Sequence, residues 1–191
     1  MTLLAIGILL FAGLHLIKSL APELRAACLA KLGDGGYKGV FSLLLLGSIA
    51  LIVIGWRSSV PQFIYMPVPG LHSLAMALIL LAFLLLVVSS RPSRLRQLVR
   101  HPQLSGVLLW GCAHLLLNGD SRSVLLFGGL ALWALAEIFA INRRDGVWIK
   151  DEPPGLAADA VNLVITVVVV AAVVYIHPWL AGVTITGHLP Q

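Results

Sequence analysis

Six apolar stretches, each close to the length that crosses a bilayer, dominate this chain and decide what it can become. They run at residues 2–20, 39–56, 71–90, 103–118, 122–141 and 157–177. At about 1.5 Å per residue, a helix of about 20 residues spans the roughly 30 Å hydrocarbon core. Lipid offers no partner to an open backbone, so each stretch is expected to be a helix. That includes the β-branched run "VITVVVVAAVV" from Val164 to Val174, which propensity alone would make a strand.

The remaining composition agrees. Hydrophobic residues make up 59% of the chain and charged residues 11%, with a mean hydropathy of +0.99. Soluble domains carry about a quarter charged residues, so a soluble globular protein is excluded. The longest connection, residues 21–38, is too short to bury a core of its own. The expectation is therefore one all-α domain over residues 1–191, a polytopic transmembrane bundle of six helices. "MTLLAIGILLFAGLHLIKSL" lacks a basic start and a small-residue cleavage site, so it reads as the first spanning helix and not as a signal peptide. Cys28 and Cys112 imply no disulfide framework.

Orientation follows from the basic residues. Lys18, Arg25, Lys31, Lys38, Arg91, Arg94, Arg96, Arg100, Arg143, Arg144 and Lys150 fall on one side, against Arg57 and Arg122 on the other. The positive-inside rule makes the first group cytoplasmic and puts both termini outside. The net charge of +5 thus reports topology and contact with anionic headgroups; no nucleic-acid motif accompanies it. "LGDGGYKG", from Leu32 to Gly39, reads as a glycine-rich turn or a re-entrant entry into the second span, and "KDEPPG" as a stop before the sixth.

An ionisable side chain inside the bilayer costs at least about 2.5–3.5 kcal/mol unless it is paired or lines a cavity. His15, His114, Glu137 and, near a face, Asp159 are therefore the informative residues. On the fourth span Gln103, Trp110, His114 and Asn118 share a face, which is expected to point into the bundle. Pro102 suits the first helical position and leaves His101 at the N-cap. His101 and His114 lie about 220° and about 20 Å apart on that helix, too far to share a metal. Trp133 and Glu137 stack at i, i+4, and Asp120 follows the "NGD" turn. Each intramembrane histidine also has a simpler role open to it, as an interhelical hydrogen-bond partner. Glu137 is either a structural partner of Arg122 or a hydroxyl, or a proton-transfer group. His72, His177 and His188 read as solvated residues at the outer interface, Cys112 as a small hydrophobe, and Trp56 and Trp179 as interfacial anchors.

The segments "GLH" at His15, "GDGGYKG" at Gly33 to Gly39, "RHPQLSG" at Arg100 to Gly106 and "AHLLLNGD" at Ala113 to Asp120 together resemble the NnrU family of bacterial inner-membrane proteins over nearly the whole chain. The family label implies an association with nitrite and nitric oxide reductase expression in denitrifiers. The same regions resemble the related plant 15-cis-zeta-carotene isomerase, a membrane protein that uses haem b. That resemblance implies haem b with His15 and His114 as axial ligands, Trp110 and Asn118 around them, and Glu137 or Asp120 as a proton or hydrogen-bond partner. The activity it implies is redox-assisted isomerisation of a lipophilic polyene. The isomerase's redox-linked cysteine falls where this chain has Gly111, with Cys112 one position away, so its cysteine-for-histidine ligand switch does not carry over.

Two other readings come from different classes. "RHPQLSG" also resembles an element of membrane methyltransferases that holds S-adenosylmethionine, through Arg100 and His101, although Leu104 stands where those enzymes have tyrosine and their C-terminal partner segment is missing. The other is a non-catalytic membrane factor that supports assembly of respiratory reductases through a membrane-protein partner.

Overall fold

The computed structural model describes residues 1–182. Six helices form the bundle: α1 (Thr2–Leu20), α2 (Pro22–Ser58), α3 (His72–Val88), α4 (Pro102–Leu117), α5 (Ser121–Asp145) and α6 (Leu156–Ala181). Four of them, α1, α2, α5 and α6, are long and apolar enough to cross a membrane; α3 and α4 are apolar but shorter, at 17 and 16 residues. A 3-10 turn at Arg94–Gln97 precedes α4 at the basic end. His188 lies outside the described residues.

Two details depart from the sequence expectation. The glycine-rich segment before the second span holds the expected turn at one residue only. Helix α2 runs through it, broken only at Gly33, where φ 68° and ψ 170° are open to glycine almost alone. Lys38 and Asp34 pair at 2.6 Å one turn apart and support the helix beyond the break. The break divides α2 into a first helical part, residues 22–32, which carries Arg25 and Lys31 at the basic end, and a second part, residues 34–58, which at about 1.5 Å per residue is about 38 Å long and is the one that spans. Helix α5 also contains a π-helical turn at Val124–Gly128.

Packing proceeds around an arc. Helix α2 lies on α1, α1 on α5, α5 on α4, α4 on α3, and α3 on α6. Small residues let backbones approach, as expected where lipid supplies no hydrophobic drive between helices. Gly55 of α2 sits on the backbone of Leu3 and Leu4, Gly7 of α1 on Ile52 and Ser48, and Gly106 of α4 on the Ala82 carbonyl. The ends of the arc, α2 and α6, meet at the sparsely charged face, where Trp56 Nε1 donates to the Ala181 carbonyl at 3.5 Å. Met1 lies at that same face, its amino group on Ser59 Oγ, so the first and last helices bring both ends of the described chain to one side.

Polar clasps close both faces. At the basic end Asn162, 1% exposed, donates to the Pro92 carbonyl and accepts from Arg91 Nε, while Asp159 accepts from Ser93 Oγ and the Arg94 amide. Asp159 is thereby fully explained as a structural acceptor. At the opposite face the Ile64 and Tyr65 amides donate to the Gly119 carbonyl, and Tyr65 Oη donates to the carbonyls of Leu115 and Asn118.

A histidine-lined cavity among the helices

Between the two ends of the arc lies a cavity of about 400 Å³, within the range of small-molecule sites. Its walls come from α2, α3, α4, α5 and α6, and are mostly aliphatic and aromatic, with Phe83, Trp56, Trp110 and Phe127 among them. Three imidazoles line it: His72 from the first residue of α3, His114 from the last turn of α4 and His177 from α6. His177 is close enough to His114 for the two rings to sense each other's charge.

His114 is the best positioned of the three. Its ring stacks on Phe127 (centroids 4.2 Å, interplanar angle 22°) and lies 4.8 Å from the Trp110 ring. Nδ1 sits 2.8 Å from the Trp110 carbonyl, which can only accept, so Nδ1 carries the proton and Nε2 keeps a lone pair. A ring held this way, with its second nitrogen committed to a carbonyl, has the arrangement of a metal-ligating histidine. Asn118 caps α4 and donates from Nδ2 to the His114 carbonyl. Trp110, His114 and Asn118 of the expected α4 stripe thus do face one site. Gln103 does not: in the first turn, near the membrane face, it is exposed.

His15 occupies a different place. Its ring packs among Phe11, Phe41 and Trp133, at 4.3, 5.8 and 5.1 Å, and its Nδ1 meets the Phe11 carbonyl at 2.8 Å. Gly129 of α5 abuts Ile8 of α1, so the two parallel helices can be levelled at that point. From Ile8 to His15 is about 10 Å along α1 toward the basic end, and Phe127, under the His114 ring, lies about 3 Å the other way. The two histidines are thus about 13 Å apart in depth along the backbone, and His15 is not among the residues that line the cavity with His114. Among the described residues no group of three or more histidine, cysteine or acidic side chains forms a metal cage.

The other expected residues are spent on architecture. Arg100 Nη1 donates to the Gly146 carbonyl and His101 Nε2 pairs with Asn142 Oδ1 at 2.8 Å, tying the start of α4 to the end of α5 away from the cavity. Glu137, 6% exposed, accepts from Ser19 Oγ at 2.5 Å and is not a partner of Arg122. Asp120 is the N-cap of α5, accepting from the amides of Arg122 and Ser123 and from Ser123 Oγ. Burial pushes its carboxyl up, but those hydrogen bonds and the Arg122 charge outweigh it, leaving the group below the ordinary carboxylate range. A depressed carboxylate stabilises the fold above its unfolded pKa, and this support is lost as pH falls through its folded value. Asp120→Ala is therefore expected to cost stability at neutral pH, about 1 kcal/mol by the usual worth of a cap, and to flatten the acid limb of a thermal-unfolding pH series in detergent. An unchanged acid limb would remove Asp120 from that role.

His72, His177 and Trp56 are the cavity residues that sequence reasoning missed. Trp56 is a wall of the site, with the Arg122 guanidinium 4.7 Å above its ring, while Trp179 is exposed, as an interfacial anchor would be. The signal available for the two histidines was their position at the ends of α3 and α6 on the same side as the end of α4.

A family model described as NnrU protein matches residues 3–185. The chain belongs to the NnrU family. No curated protein and no solved structure matches it. In this NnrU protein the matched region includes every helix of the bundle and every wall of the cavity.

Proposed function

We propose that this NnrU-family membrane protein binds haem b in the cavity, where His114 of α4 would hold the iron. The observation that carries the proposal is the His114 ring: Nδ1 tied to a backbone carbonyl, Nε2 keeping its lone pair, and Trp110 and Phe127 packed on the ring inside an apolar chamber. The donor set fits a flat, largely apolar metallocycle better than a bare ion, because imidazole is a good axial ligand to haem iron and the rest of the chamber has little for a hydrated cation. When bound, the iron would supply a redox-active centre able to lend electron density to a conjugated double bond or to take a diatomic ligand.

The chain's own residues then set the chemistry. Trp110 and Phe127 fix the plane of the His114 imidazole, and the Trp110 carbonyl fixes its tautomer. The aliphatic walls from α2, α3 and α6 exclude water. A polyene reaching the cavity from the bilayer between α2 and α6 is the substrate class this arrangement suits, with redox-assisted isomerisation as the reaction. The family's association with nitrite and nitric oxide metabolism in the bacterial inner membrane points to nitric oxide as the diatomic. The test is the absorption spectrum of detergent-purified protein expressed with ample haem, oxidised and then reduced with dithionite. A Soret band that sharpens on reduction is expected; a colourless protein overturns the proposal.

One observation favours the assembly-factor reading. The segment between α2 and α3 presents Val60, Phe63, Met66 and Val68 at 61–79% exposure at the outer face, a surface a membrane-protein partner could cover. Co-purification of a reductase with colourless protein is the result that would favour it.

A further inference from the structure

Trp133 and Glu137 follow one another on the face of α5 that meets α1, and each carries a buried polar atom that no protein group satisfies. Trp133 is 8% exposed and Glu137 6% exposed. Trp133 Nε1 has no acceptor, and Glu137 Oε2 has no partner although Oε1 is met by Ser19. Leaving a buried polar group unmet costs about 1–3 kcal/mol. Two such atoms a single turn apart are a matched need and not two accidents.

Their chemistries are complementary. An indole N–H can only donate, and a carboxylate oxygen accepts. The guest that meets both must accept one hydrogen bond and donate another, and the smallest such molecule is water. Buried waters typically make about three hydrogen bonds to groups of this kind. A third partner stands beside the pair: the His15 ring is edge-on to Trp133 at 5.1 Å, and with Nδ1 donating to the Phe11 carbonyl its Nε2 is an acceptor.

We infer that α1 and α5 enclose an ordered water-binding site, separate from the cavity, in which water accepts from Trp133 Nε1 and donates to Glu137 Oε2. Ser19 stands next to the last residue of α1 at the basic face. Ser19, Glu137 and this water therefore make a hydrated polar seam leading inward from the cytoplasmic side to His15, through a region otherwise packed with Phe11, Phe41 and Trp133.

The experiment is ¹H–¹⁵N NMR of the full chain in detergent, labelled with ¹⁵N at the indoles of its five tryptophans. The Trp133 signal is assigned by Trp133→Phe or, if that variant does not fold, by elimination from phenylalanine variants at the other four. A direct cross-peak between the Trp133 indole proton and water is expected in the wild type, with loss of that cross-peak in Glu137→Leu. Absence of the cross-peak from folded wild-type protein overturns the inference whatever the variants do. Persistence in a folded Glu137→Leu protein overturns the role of the carboxylate.

Discussion

His114→Ala is expected to abolish the Soret band, whereas His15→Ala retains it. The alanine removes the one imidazole whose ring is clamped by Phe127 and Trp110 and whose Nδ1 is anchored on a carbonyl. Loss of a partner that merely supports a ligand costs about 10–100-fold in metal affinity, so loss of the ligand itself should leave less than a tenth of the haem bound. His15 belongs to the aromatic packing between α1, α2 and α5, about 13 Å away in depth, and its removal leaves the cavity walls intact. The haem-to-protein ratio of the purified variants is the measurement. Equal loss from both would restore His15 as a ligand and defeat the assignment to the cavity; full retention by His114→Ala would remove the axial role from α4. His72→Ala and His177→Ala then ask whether either of the other cavity imidazoles takes part.

The larger effect on folding is expected from Gly55→Val. A Cβ at Gly55 would be driven into the backbone of Leu3 and Leu4, which cannot rotate away as a side chain can. Overpacking ordinarily costs about 1–3 kcal/mol, and with backbone on the far side of the contact the upper end of that range is expected. The α1–α2 pair would part along the crossing that Gly7 also depends on, where Ile52 and Ser48 would come within 2.9 Å of a Cβ. Gly13→Val on the lipid side of α1 is the control. Nothing lies within 4 Å of a Cβ there, and a change within about 0.5 kcal/mol is expected. Thermal unfolding and the monodisperse fraction in detergent compare the two. If Gly55→Val behaves like Gly13→Val, the close crossing of α1 and α2 is not what holds the arc together.

The six spans were legible because hydropathy and helix length are local properties, and even the β-branched run at Val164 could be read correctly once lipid was recognised as the solvent. The α4 stripe was legible for the same reason, since Trp110, His114 and Asn118 need only one helix to align them. What failed depended on other helices. His72 and His177 each stand at the end of a separate helix, and nothing within α3 or α6 says that those ends converge on His114. The unequal depth of His15 and His114 was legible in their distances from the helix ends, but that His15 lies outside the cavity lined by His114 depends on how α1 is set against α5. Gly55 looked like any glycine in an apolar run, and its meaning is the Leu4 backbone on the facing helix. The "GDGGYKG" segment was legible in part: its glycines suggested a turn, which the structure places at Gly33 alone, with the rest of the segment helical.

The arc that stops short of a closed ring has a thermodynamic consequence. A guest that enters sideways between α2 and α6 meets the protein from hydrocarbon, where a lipophile is already concentrated by partitioning out of water. About 0.8 kcal/mol for each buried methylene has then been gained before binding begins. The recognition step need supply only the difference between bilayer and cavity, which falls on the few groups lipid cannot imitate: the imidazoles, Asn118 and the flat faces of Trp110 and Phe127. Selectivity in such a chamber resides in those groups, and an affinity measured in micelles will scale with the volume of detergent present.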